Sequence, residues 1–196
     1  MSILAENGST NSKQSVILLH GAIGAADQLK PLADELSKLN YQVFTFSFSG
    51  HGKTPFQKDF GVAKFASELE QFISSNNIQK PHIVGYSMGG YVALYLAAQQ
   101  PELLSKIVTL GTKFMWTNEI AEKEVKQLDP EILLIKVPKF AEALQLRHGN
   151  EWKRLLNETA VMMKAMGNNN PLNDELLLKI NNDVLIGIAD KDTMVT

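Results

Sequence analysis

The stretch His82-Ile83-Val84-Gly85-Tyr86-Ser87-Met88-Gly89-Gly90 constrains this chain more than any other. Ile83 and Val84 form a short apolar run suited to a buried strand. Tyr91 to Ala98 follows at once, apolar throughout and suited to a buried helix. Strand, tight turn and helix therefore meet at Ser87. Glycines two places before and two places after the serine remove Cβ atoms that so sharp a turn cannot house. The hydroxyl is then lifted clear of the backbone, with the positive end of the next helix dipole behind it. A Gly-x-Ser-x-Gly pattern alone arises by accident in roughly one chain of this length in fifteen at ordinary residue frequencies. Its seat between a strand and a helix is what gives it weight.

A chain of 196 residues buries one sizeable core, with room for one inserted subdomain. Its net charge of −2 leaves no basic footprint for nucleic acid and no polybasic patch for a membrane. Without cysteine there is no disulfide, no thiolate chemistry and no Cys-ligated zinc, which fits a cytoplasmic setting. Met1 to Lys13 lacks the charged start and apolar run of a secretory leader. The longest apolar run, Tyr91 to Ala98, is too short to cross a bilayer. The expected partner is a small molecule, with no nucleic acid, no membrane and no metal or organic cofactor. Oligomeric state is not legible.

Val16 to Leu19 is a continuous apolar run, as buried parallel strands are. Upstream, Asn7-Gly8 has the residues of a tight hairpin. Residues 26–39 place Leu29, Leu32, Leu36 and Leu39 at helical spacing, with Pro31 in the first turns. Tyr41 to Phe48 alternates and is rich in β-formers, so it predicts a second strand. A helix over Phe60 to Asn76, the strand before Ser87, the helix behind it and a strand over Lys106 to Leu110 continue the rhythm. From Thr112 the alternation stops. Residues 112–181 predict helices near 117–128, 130–147 with a break at Pro138, 150–166 and 173–180. Val184 to Ile188 then restores a strand. The expected fold class is α/β, a mostly parallel β-sheet flanked by helices, with an inserted helical block. Residues 1–111 and 182–196 form the core and 112–181 the insert. The insert is either extra packing or a lid, since it leaves the sheet at the strand carboxyl ends where ligands bind in such folds.

Four motifs fall at strand ends: His20-Gly21, Gly50-His51-Gly52, Gly85-Tyr86-Ser87-Met88-Gly89-Gly90, and Ala189-Asp190-Lys191-Asp192. In kind and order they resemble the α/β-hydrolase superfamily, in its lidded single-domain group. The resemblance covers nearly the whole chain. It implies that Ser87 is the nucleophile of a serine hydrolase. It also implies that the backbone N–H groups of Met88 and Ala22 form the oxyanion hole, and that Asp192 is the triad acid, with Asp190 as alternative. His20 and His51 look structural in these motifs. The substrate class implied is acyl: carboxylic ester, thioester, lactone or a carbon–carbon bond beside a carbonyl. Phe114, Met115, Trp116, Trp152, Met162, Met163 and Met166 are candidates for an apolar acyl site, or for packing of the insert.

Two departures stand out. Where family members carry Asp before the Gly-His-Gly loop, this chain has Ser47. The family's catalytic histidine lies one strand beyond the acid, whereas Asp192 is followed by only four residues. His148 lies in the insert, and nothing local aims it at Ser87. The expectation is that the base, a last strand and a final helix belong to a longer parent, because an open edge at Val184 to Ile188 invites aggregation. The rival is a complete, catalytically inactive chain. At the level of function, two alternatives stay open: a non-catalytic ligand-binding protein of this fold, or a lyase cleaving carbon–carbon bonds.

Overall fold

The structure, a computed structural model, describes residues 13–192 and 195. The Asn7-Gly8 turn and nearly all of Met1 to Lys13 lie outside the described residues. Five strands, β1 (Ser15–Leu19), β2 (Gln42–Thr45), β3 (His82–Tyr86), β4 (Ile107–Leu110) and β5 (Val184–Gly187), form one sheet in the order β2-β1-β3-β4-β5. Every pairing is parallel. The register sets Leu19 beside Gly85, Tyr86 beside Leu110, and Leu110 beside Gly187. The loops after β1, β3, β4 and β5 therefore open along one carboxyl edge, where α/β sheets bind ligands.

The first helical region divides in two. Ala26–Leu29 is a 3-10 turn and α1 (Lys30–Lys38) follows. Pro31 falls in the first turn of α1, where its missing N–H costs no intrahelical bond. The leucine stripe is less buried than its spacing predicts: Leu32 and Leu39 are exposed by 42% and 68%. The second strand is also shorter than expected. Only Gln42–Thr45 pairs, because β2 is an edge strand with β1 as its single neighbour. Phe46 and Phe48 leave the ladder and pack as aromatics, Phe46 stacking on Phe72 at 4.6 Å between centroids.

Helix α2 (Val62–Ser75) presents Phe65, Leu69 and Ile73 to α3 (Met88–Gln99), and α3 lies against β3 and β4. Ten of the twelve α3 residues are buried, so this helix carries no polar stripe. Between β4 and β5 run α4 (Asn118–Val125), α5 (Pro130–Lys136), α6 (Pro138–His148), α7 (Trp152–Asn168) and the single turn α8 (Asp174–Leu177). Asp129 caps α5 by accepting from Glu131 N–H (2.9 Å) and Ile132 N–H (3.2 Å), an arrangement worth about 1 kcal/mol. Pro138 separates α5 from α6, as its position predicts.

These helices do not share one core. Leu133, Leu144, Trp152 and Leu156 form a satellite cluster, whereas Met162 and Met166, further along α7, join the main core. One helix thus spans both clusters and ties them together. Among the described residues, no helix is long and apolar enough to cross a membrane.

Candidate active site

Ser87 stands between β3 and α3 with φ 50° and ψ −115°, a left-handed conformation that a side chain bearing Cβ rarely adopts. Its surroundings hold it there. Its N–H donates to Leu110 O at 2.8 Å. Its carbonyl accepts from Gly90 N–H (3.1 Å), Tyr91 N–H (3.2 Å) and the Thr112 hydroxyl (3.0 Å). The turn closes because Gly85 and Gly89 lack side chains. A Cβ on Gly89 would lie 2.6 Å from Leu19 O, and one on Gly85 would lie 2.4 Å from Gly90 N.

The expected partners arrive from separate loops. Ser87, Ala22 and Met88 line one small cavity of about 40 Å³. Its remaining wall is Val62, Tyr91, Lys113, Trp116, Met162, Met163 and Met166. Four of the seven apolar candidates from 112–181 are therefore here. Trp152 belongs to the satellite core, Phe114 packs on the main core, and Met115 is 61% exposed. Val62, Tyr91 and Lys113 were not singled out from the sequence. Val62 and Tyr91 carry ordinary helix-core patterns, and no local signal marks them.

Asp192 sits in the turn after β5. Its N–H donates to Ala189 O at 3.1 Å, and its carboxylate accepts from Val195 N–H at 3.1 Å. The carboxylate also lies against Gly111, at the end of β4, where an added Cβ would come within 3.3 Å of Oδ2. Ser87 N–H bonds to Leu110 O, next to Gly111, so the Ser87 turn and the Asp192 carboxylate both lie at the carboxyl end of β4. Asp190 is exposed.

A family model described as the alpha/beta hydrolase fold matches residues 14–141. The chain belongs to the α/β-hydrolase fold family. Ethanol acetyltransferase 1 of Cyberlindnera fabianii is 23% identical over 180 residues, covering 91% of this chain and 51% of that protein. The sn-1-specific diacylglycerol lipase ABHD11 of Danio rerio is 29% identical over 96 residues, 48% of this chain and 30% of the lipase. Among solved structures, 2-hydroxy-6-oxo-6-phenylhexa-2,4-dienoate hydrolase from Rhodococcus sp. strain RHA1 superposes with a TM-score of 0.70. It is 22% identical and covers 94% of this chain and 75% of that one, a likeness of fold. The chain spans about half, or less, of the length of the curated relatives it matches.

In this α/β-hydrolase-fold chain, three histidines gather beside the Ser87 loops without touching the serine. His20 donates from Nδ1 to Gly21 O (2.8 Å) and accepts at Nε2 from Phe48 N–H (3.2 Å). His51 is bound through Nδ1 to Ser49 O at 3.0 Å. His148, at the end of α6, accepts at Nδ1 from Gly52 N–H (2.8 Å) and donates from Nε2 to Ile23 O (2.9 Å). It therefore clamps the insert to the loops after β1 and β2. Ile23 itself has φ 52°, unusual for a β-branched residue, and the clamp holds its carbonyl. Ser47, which replaces the family's Asp, accepts from Ala26 N–H through Oγ at 3.0 Å and so still ties the two loops.

Burial pushes all three histidines down: His20 to about 4, His51 well below the usual imidazole value, and His148 in the same direction. They are neutral in the native state and take protons more readily when the chain unfolds. Stability is therefore expected to fall as pH drops below about 6.5, and the share due to His20 keeps falling until about 4. His20 alone accounts for about 2 kcal/mol at pH 5. The direct check is the His20 imidazole resonance in NMR, which should show no titration between pH 8 and 5. A midpoint near 6.5 would mean that the ring is solvated.

Proposed function

We propose that this chain forms the core of a serine hydrolase acting on an ester, thioester or related acyl substrate through an acyl-enzyme. The observation that carries the proposal is the strained backbone of Ser87 at the wall of an apolar cavity shared with Ala22 and Met88. Strain of this kind costs of order 1–3 kcal/mol and persists where the geometry is used. The names of the relatives point the same way, since an acetyltransferase and a diacylglycerol lipase both handle acyl groups.

In the proposed reaction Ser87 Oγ attacks the substrate carbonyl carbon while a general base takes its proton. The oxyanion is met by the Ala22 and Met88 N–H groups, each donor being worth about 10²–10³ in rate. Collapse expels the alcohol or thiol, which leaves with the proton, and water then releases the acid by the same steps. Asp192 orients the base. His20 and His148 have both ring nitrogens engaged, and His51 is bound in its own loop. His82 lies at the start of β3, where Nδ1 accepts from Lys106 N–H at 3.3 Å. None of the four histidines is therefore hydrogen-bonded to Ser87, and the base is not assigned among the described residues. The cavity of about 40 Å³ holds little more than a few water molecules, so an acyl group enters only if the wall yields. Residues 112–181 supply Lys113, Trp116 and three methionines of that wall. This supports their assignment as a lid over a core of 1–111 and 182–196.

The test is covalent. Treated with a fluorophosphonate, the whole protein is expected to gain one phosphonyl group on the peptide containing Ser87. A folded protein that stays unlabelled would instead be a ligand-binding member of the fold.

A further inference from the structure

Behind the methionine wall of the Ser87 cavity lies an outer cavity of about 400 Å³, formed where the start of α2 meets the C-terminal half of α7. Val62, Met162 and Met166 line both spaces, so one layer of side chains divides them. All three are buried. Ligand sites generally measure about 300–1,000 Å³, a range that holds the outer cavity and not the inner one. Phe60, Ala63, Ala165 and Pro171 complete an apolar outer lining, with Asp59 and Asn169 exposed at its rim. Among the described residues no Lys, Arg or His lines it, and Asp59 brings the charge sign that repels an anion. A third cavity, of about 440 Å³, meets the Ser87 cavity at Ala22 alone. Alanine has no side-chain torsion with which to open a path. Methionine is unbranched and turns about three bonds.

We infer that an unbranched alkyl chain of the substrate passes between Val62, Met162 and Met166 into the outer cavity, and that these residues set a preference for long-chain over short-chain esters. The inference rests on the assignment of Ser87 as the nucleophile. Met162 and Met166 are the movable side of the passage, because a thioether chain re-packs around alkyl carbons of varied shape. Val62 is branched at Cβ, stiff about χ1, and forms the fixed side. The outer lining offers an alkyl chain apolar contact and offers a phosphate or carboxylate no cation. Each methylene buried there tightens binding about fourfold. An acetyl group has no methylene to place and gains nothing from the outer cavity.

Two measurements on the whole protein test this. The first compares kcat/KM for p-nitrophenyl octanoate against p-nitrophenyl acetate, which puts the chain on the acyl side, and for octyl acetate against ethyl acetate, which puts it on the alcohol side. One of the two ratios should exceed about tenfold. Ala165→Trp and Ala63→Trp fill the outer cavity from exposed positions on α7 and α2, and each should lower that ratio about tenfold. Leu32→Trp, in the third cavity, should leave the ratio where it was. A flat chain-length profile, or a preference lost in Leu32→Trp and kept in both outer-cavity variants, would overturn the inference. The second measurement reads binding. Methionine methyl resonances of isotope-labelled protein carrying Ser87→Ala are followed by NMR during titration with methyl octanoate, octyl acetate or ethyl acetate. The Met162 and Met166 signals should shift with an octyl-length ester and not with ethyl acetate, while exposed Met115 serves as the internal reference. Signals that stay in place with both long esters overturn the passage. If the fluorophosphonate fails to label Ser87 while the two methionine signals respond, the acyl-enzyme reading falls and the alkyl passage stands. Labelling of Ser87 with a flat chain-length profile overturns the passage and leaves the acyl-enzyme standing.

Discussion

Ser87→Ala is expected to lower ester turnover by the whole protein by about 10⁴–10⁶-fold while leaving the fold intact. The substitution deletes one oxygen and nothing that holds the turn. The bonds that fix residue 87 run through its backbone: N–H to Leu110, and the carbonyl to Gly90, Tyr91 and Thr112. Alanine tolerates φ 50° no better than serine, so stability should change by less than about 1 kcal/mol. On the proposed assignment, the residual rate would come from the Ala22 and Met88 amides, which would polarise the carbonyl without a nucleophile. Hydrolysis of a short p-nitrophenyl ester by wild type and variant is the measurement. Turnover within tenfold of wild type would remove Ser87 from the chemistry.

Gly85→Ala should act on the fold. The added Cβ would lie 2.4 Å from Gly90 N, 2.5 Å from Gly90 Cα and 2.6 Å from Gly89 C. All three are backbone atoms of the first turn of α3, which is wedged between the sheet and α2. No rotamer change relieves such a contact, so β3 and α3 must part. The expected cost is about 3 kcal/mol or more, a fall in melting midpoint of roughly 6–12 °C for a chain of this size. Gly149→Ala is the comparison. Gly149 has φ 64° but nothing within 4 Å of an added Cβ, so it carries backbone strain alone, about 1 kcal/mol. If the two variants melt together, close packing is not what requires glycine at 85.

The central strands were legible because a parallel strand covered on both sides must be apolar almost throughout, as Val16 to Leu19 is. The edge strand is shorter than its composition for the converse reason. Tyr41 to Phe48 has strand composition, but pairing needs a neighbour, and β2 has one for only four residues. The helical insert was legible as helices, since Asp129-Pro130 and Pro138 punctuate it chemically. Its division between two cores was not, because Trp152 and Met166 share one helix and its apolar stripe. His148 shows the limit most clearly. Its two partners, Gly52 and Ile23, lie 96 and 125 residues away, and no spacing rule joins them.

Steric exclusion between neighbours in the chain was enough to dictate the bend at Ser87. A serine flanked by glycines, between an apolar strand and an apolar helix, has few other conformations open to it. What faces that hydroxyl was decided by the fold alone. Ala22, Trp116 and Met162 come from three separate segments, and they share a cavity wall with Ser87 because parallel strands in register deliver their loops to one edge of the sheet. A methionine partition between two cavities and an imidazole locked neutral are properties of those surroundings. Only burial creates them, and burial is a relation between residues distant in sequence.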